Sequence, residues 1–138
     1  VKIFYTASAT ATGDGRDGKV RSSDGNIDLA LAVPTEMGGA GGATNPEQLF
    51  ASGYAACFHS ALRRVAQTAK ADVEGSQVTA EVGIGASGGG AFGLAVTLRV
   101  ALPGVDADTA AALMARAHEV CPYSNATRGN IDVHLQLV

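Results

Sequence analysis

Cys57 and Cys121 are the only cysteines in this 138-residue chain, and a thiol is its most nucleophilic side chain. Cys57 lies in the apolar run Glu47-Gln48-Leu49-Phe50-Ala51-Ser52-Gly53-Tyr54-Ala55-Ala56-Cys57-Phe58, and Cys121 ends a second helical pattern directly before Pro122. If the two meet in the fold, the chain is a candidate dithiol redox protein. Taken alone, Cys57 reads better as an inert core thiol, because desolvation raises a buried thiol's pKa and disfavours the thiolate. A nucleophilic Cys57 needs a cation nearby to hold the thiolate at neutral pH. Arg16 is the candidate, a lone basic residue in the turn Gly13-Asp14-Gly15-Arg16-Asp17-Gly18, although by itself it reads as a solvated turn residue. Glu47 can orient Arg16 as a bidentate partner, since guanidinium and carboxylate match as forks. The plain alternative for Glu47 is an acidic residue placed favourably in a helix's first turn. Ten positions separate Glu47 from Cys57, roughly 15 Å along a straight helix. Contact between them therefore requires a helix break, with Gly53 the natural place, or Arg16 as a bridge.

Other chemistries fit less well. Cys57, His59, His118 and Cys121 supply four zinc-type donors, but helical residues two apart point in nearly opposite directions. Cys57 and His59 thus cannot share one metal, nor can His59 serve directly as the base for Cys57. A Cys-His hydrolase would need His118 or His134 brought in by the fold, and no acyl-enzyme signature accompanies them. The hexamers Gly13–Gly18 and Gly83–Gly88 have dinucleotide-binding spacing, but neither opens a helix, so both read as turns. The Gly38–Gly42 loop precedes a helix without the Lys-Ser/Thr of a triphosphate cradle.

Composition narrows the class further. A formal charge of −3 carries no electrostatic footprint for nucleic acid or an anionic membrane. No apolar stretch is long enough to span a bilayer. The chain starts at Val1 without a signal-peptide pattern, and two cysteines in that context lead us to expect reduced, cytoplasmic thiols. The sequon Asn125-Ala126-Thr127 is then without consequence. The length suits one domain spanning residues 1–138, and no motif calls for a metal or organic cofactor.

The elements that must position these residues follow from local pattern. Ile3–Thr10 is β-rich, Lys19–Ser23 is a short strand, Asp24-Gly25 a tight hairpin turn, and Ile27–Val33 a third strand. Asn45 is a good cap, Pro46 suits the first helical position, and the helical pattern runs to about Lys70. That helix is apolar on more than one face, as expected of a central, buried one. Two alternating strands follow, carrying Val78 to Ile84 and Leu94 to Leu102, with Gly85–Gly93 as a hairpin connector. Asp106 caps a second helix ended by Pro122, and Ile131 to Leu137 alternates as a last strand. The order is βββ-α-ββ-α-β, an α+β layout.

Several of these segments resemble one family closely. The run Cys121-Pro122-Tyr123-Ser124-Asn125-Ala126-Thr127-Arg128-Gly129-Asn130-Ile131-Asp132-Val133 is similar to the C-terminal signature of the organic hydroperoxide resistance proteins, the Ohr branch of the Ohr/OsmC family. Asn45–Phe50 and Gly53–Phe58 resemble its central helix, Gly15–Gly18 its arginine loop, and Ala80–Gly85 and Phe92–Val96 further family segments. The resemblance implies an Ohr/OsmC-like fold, with antiparallel sheets wrapped around a central buried helix in an intertwined homodimer. It implies a thiol-dependent peroxidase acting on alkyl, aryl and fatty-acid hydroperoxides. Cys57 would be the peroxidatic and Cys121 the resolving cysteine, with Arg16 and Glu47 activating the thiol and placing the peroxide. The Cys57–Cys121 disulfide would be recycled by a dithiol, typically a lipoyl-bearing protein. The sister OsmC-type branch is a rival that the Cys121–Asn125 run disfavours. A non-catalytic redox sensor is another, which no DNA-binding element or basic surface supports. Leu49, Phe50, Phe58 and Met37 are the expected apolar liners of the peroxide site.

Overall fold

The structure, a computed structural model, describes residues 1–138. The chain forms two compact units, Val1–Leu49 and Phe50–Val138.

In the first unit, β1 (Ala9–Thr12), β2 (Lys19–Ser22) and β3 (Asp28–Ala30) form an antiparallel sheet in that order. Asp24 builds the β2–β3 turn with its carboxylate, which accepts from Ser22 Oγ and from the backbone and side-chain nitrogens of Asn26. Gly25 takes the left-handed conformation that this turn requires, φ +76°. The turn between β1 and β2 closes tightly: a Cβ on Gly18 would stand 2.1 Å from the Thr12 carbonyl oxygen. Strand β1 begins later than its β-rich sequence predicts. Residues 1–8 lie outside the strand, where Ser8 only accepts the Ser23 amide, and Ile3, Phe4 and Tyr5 are exposed.

Helix α1 (Pro46–Thr68) opens as its sequence predicts, with the Asn45 side chain accepting from the Gln48 amide at 2.9 Å. It runs unbroken through Gly53, so Glu47 and Cys57 stay well apart along its axis. Its stop is a left-handed Lys70, behind which the Ala71 amide reaches back to the Ala66 carbonyl. The buried side chains of α1 are Tyr54, Phe58, Ala61, Leu62 and Ala66, one stripe at steps of three and four. Burial on more than one face is not seen within the single chain, since Ala56, Ser60, Arg63 and Arg64 are exposed.

The second unit is built on a sheet of β4 (Gln77–Gly88), β5 (Ala91–Ala101) and β6 (Asp132–Leu137), with β5 central. Val96, Leu98 and Val100 of β5 are buried and pack with Phe58, Leu62, Leu113 and Met114 into the core. Two expectations need correction here. The Gly85–Gly93 stretch is mostly strand, with Gly85 paired to Gly93 and Ala86 to Phe92, and only a short glycine turn remains between β4 and β5. Ladder bonds are made by the backbone, so glycine-rich sequence does not prevent them. The sheet is also not wholly antiparallel: β6 runs parallel to β5. A crossover through α2 (Ala107–Val120) and α3 (Pro122–Thr127) returns the chain to the same end of the sheet, and parallel pairing requires such a crossover. Asp106 caps α2 as expected, accepting from the Thr109 amide at 3.0 Å. Helix α3 was not anticipated, because Pro122 was read only as a stop. It is equally the first residue of a new helix, where its missing N–H costs nothing. No helix is long and apolar enough to cross a membrane.

Candidate active site

Arg16 sits in a single 3-10 turn, Gly15–Asp17, that is tied down where Asp17 accepts the Val33 amide at 2.9 Å. Its two terminal nitrogens donate to the two oxygens of Glu47, at 2.7 and 2.8 Å. This is the fork-on-fork geometry that makes Arg-carboxylate pairs directional. The hydrogen bond from Arg16 holds the Glu47 carboxyl below its ordinary value of 4.5, against a smaller opposing effect of burial. The guanidinium shifts upward for the same reason.

The sign of this linkage gives a pH prediction. Unfolded Glu47 takes up its proton near 4.5, and folded Glu47 only at lower pH, so acid favours the unfolded chain. The pair's contribution is therefore complete above about pH 4.5 and is lost as pH falls through the folded value. The melting-temperature gap between the parent and Glu47→Gln should be widest near neutrality and close below pH 4.5. A gap that stayed constant from pH 6 to pH 3 would show that the pair does not stabilise the fold.

Cys57 and Cys121 form the other pair, in the second unit. Both are free thiols, Cys57 half-buried and Cys121 fully buried. Cys121 Sγ lies 3.4 Å from Cys57 Sγ and donates to it. Cys121 is the hinge between α2 and α3: its amide donates to the Ala117 carbonyl and its carbonyl accepts from the Asn125 amide, both at 2.9 Å. Burial pushes the Cys57 thiol pKa up, and the neighbouring Cys121 adds to the rise. One group works the other way, the backbone N–H of Tyr123, which hydrogen-bonds the Cys57 sulfur and favours the thiolate. Tyr123 can come this close because Gly53 leaves room: a Cβ there would stand 3.0 Å from the tyrosine hydroxyl oxygen.

Cys57 borders a cleft of about 830 Å³. Its lining combines apolar Ala61, Val65, Val120 and Pro122 with the polar Arg64 and Arg116. Phe58 is sealed in the core, and Phe50 packs edge-on against Tyr54 and Tyr123. The two histidines among the zinc-type donors are engaged with serines, His59 Nε2 with Ser76 Oγ and His118 Nδ1 with Ser124 Oγ.

Comparison with known proteins settles the family. The profile of the family described as OsmC-like protein matches residues 39–136. The organic hydroperoxide resistance protein of Xanthomonas axonopodis pv. citri is 56% identical over 138 residues, covering 99% of this chain and 96% of that protein. This chain belongs to the Ohr/OsmC family. A second Ohr relative, OhrA of Bacillus subtilis, is 50% identical and covers 97% of this chain and 96% of its own. Among solved structures, an organic hydroperoxide resistance protein from Legionella pneumophila superposes with a TM-score of 0.94 at 53% identity, covering 99% of this chain and 98% of that one. OhrB of Bacillus subtilis does so with a TM-score of 0.89 at 42% identity, covering 99% and 100%. The α+β fold is thus that of the Ohr proteins.

Sequence reading missed what surrounds the thiols of this Ohr/OsmC chain. The Tyr123 amide and the hydroxyls of Tyr54, Ser124 and Thr127 were not singled out. Pro122 was the available signal, since a proline is favoured at the first position of a helix as well as after the end of one.

Proposed function

We propose that this chain is a thiol-dependent peroxidase that reduces organic hydroperoxides to alcohols. The observation that carries the reading is the pair of free thiols 3.4 Å apart, with Cys57 at the edge of a cleft lined by both apolar and polar side chains. That separation lies in the range from which bonds form with little reorganisation. The names of the close relatives point the same way.

The reaction proceeds in three steps. The Cys57 thiolate attacks the distal peroxide oxygen, the O–O bond breaks, and the alkoxide leaves as an alcohol after taking a proton. Cys57 is then a sulfenic acid. Cys121 attacks that sulfur, forming the disulfide and releasing water. An external dithiol reopens the disulfide by thiol–disulfide exchange and is itself oxidised. A lipoyl-bearing protein fits this last role, because a dithiol completes the exchange intramolecularly. The apolar side chains of the cleft favour alkyl and aryl peroxides over hydrogen peroxide, which has no tail to bury.

In this reading Arg16 keeps the activating role that the family resemblance gives it, with Glu47 as its bidentate partner. In Arg16→Ala the Cys57 thiol should titrate at higher pH than in the parent; an unchanged value removes Arg16 from this role. The working form is a homodimer of reduced chains in the cytoplasm. Exposed Ile3, Phe4 and Tyr5 support a dimer, since a cluster of that kind is normally covered by a partner. The deciding experiment is steady-state consumption of tert-butyl and cumene hydroperoxides with dihydrolipoamide as reductant. If neither is turned over, the peroxidase reading is wrong.

A further inference from the structure

A chain of buried hydroxyls lies beside the thiol pair. Ser124 Oγ is 2.8 Å from His118 Nδ1 and 2.9 Å from the Tyr54 hydroxyl, which is itself 3.1 Å from Thr127 Oγ1. Thr127 Oγ1 donates on to the carbonyls of Tyr123 and Ser124. Tyr54 and Ser124 are fully buried and Thr127 nearly so. A side-chain network of this kind is costly to assemble in a core, and breaking one link leaves the remaining members unsatisfied.

The placement of its members is specific. His118 is on the last turn of α2, Ser124 and Thr127 are on α3, and Tyr54 is on α1, three positions before Cys57. Cys121 is the joint between α2 and α3, with both backbone groups already bonded. The direction of its thiol is therefore set by how α3 leaves α2. One hydroxyl, Ser124 Oγ, links the helix before that joint to the helix bearing Cys57. Arg128 reinforces the link by donating to the His118 carbonyl. Burial, and secondarily the charge of Arg128, lower the pKa of His118, and because Thr127 donates on to carbonyls, every link is filled when His118 Nδ1–H donates to Ser124, Ser124 to Tyr54 and Tyr54 to Thr127.

We propose that Ser124, held between His118 and Tyr54, is a positioning residue for the resolving thiol: it keeps Cys121 aimed at Cys57. It touches neither peroxide nor sulfur. The inference rests on the peroxidase reading for its use, in the step where Cys57 sulfenic acid and the Cys121 thiol become a disulfide and water. Its geometric content can be measured apart from peroxide chemistry.

Two measurements on Ser124→Ala test it, with Tyr54→Phe cutting the same link from the other end should the first variant fold poorly. Equilibration in reduced and oxidised glutathione gives the effective concentration of one thiol towards the other. It should fall at least tenfold in either variant. In single turnovers with cumene hydroperoxide, the rate of disulfide closure should fall at least tenfold more than the rate of Cys57 oxidation. General destabilisation would instead slow both steps together. Parental effective concentrations in folded variants would overturn the proposal, as would equal slowing of the two steps. A parent that consumes no peroxide, with the effective concentration still falling tenfold in Ser124→Ala, would refute the peroxidase reading while supporting the positioning role.

Discussion

Cys57→Ser is expected to abolish peroxide turnover, a loss of at least about a thousandfold, or roughly 4 kcal/mol of activation free energy. Serine has nearly the same size and would leave the cleft intact. What it lacks is an accessible anion, because a hydroxyl in this setting does not ionise near neutral pH, and oxygen attacks an O–O bond far less readily than sulfur does. It also cannot hold the product of the first step, since no sulfenic acid forms without sulfur. The variant should melt close to the parent temperature, because Cys57 is only half-buried and serine is nearly isosteric with it. Retention of a tenth of the parental rate in Cys57→Ser would place the chemistry on another residue.

Cys121→Ser should separate the two halves of the cycle. One equivalent of hydroperoxide is still consumed, because Cys57 and the cleft remain. Turnover with the dithiol then falls by at least about a hundredfold. An aligned intramolecular thiol at near-contact distance acts with an effective concentration far above that of any free reductant, and the variant loses that advantage. The stranded sulfenic acid lasts long enough to be trapped by dimedone, and excess peroxide drives it on to the sulfinic acid. Mass spectrometry would follow both products. Undiminished dithiol-driven cycling in this variant would show that Cys121 does not resolve the oxidised thiol.

Residues that act through local rules were legible in the sequence. Asn45, Pro46 and Asp106 cap or open helices by contacts within three or four positions, and all three do so in the structure. The Arg16–Glu47 fork was readable as a chemical match, and the pair forms across 31 positions. What local pattern could not supply was anything set by return of the chain. The parallel pairing of β6 depends on the crossover, which periodicity does not encode. The meeting of Cys57 and Cys121 spans 64 positions and became an expectation only through family resemblance. The Ser124 hub was hidden for the same reason. Its hydroxyl looks like an ordinary polar residue until three helices converge on it.

The distance between the two cysteines along the chain has a mechanical consequence. In the proposed cycle, oxidation ties residues 57 and 121, 64 positions apart, into a covalent ring holding most of α1, the β4–β5 hairpin and α2. Closing a ring of that length removes freedom mainly from the unfolded chain, by about 4 kcal/mol in the chain-entropy description. The same molecule therefore alternates between two topologies, an open string and a closed loop. It is most resistant to unraveling just after it has spent its thiols.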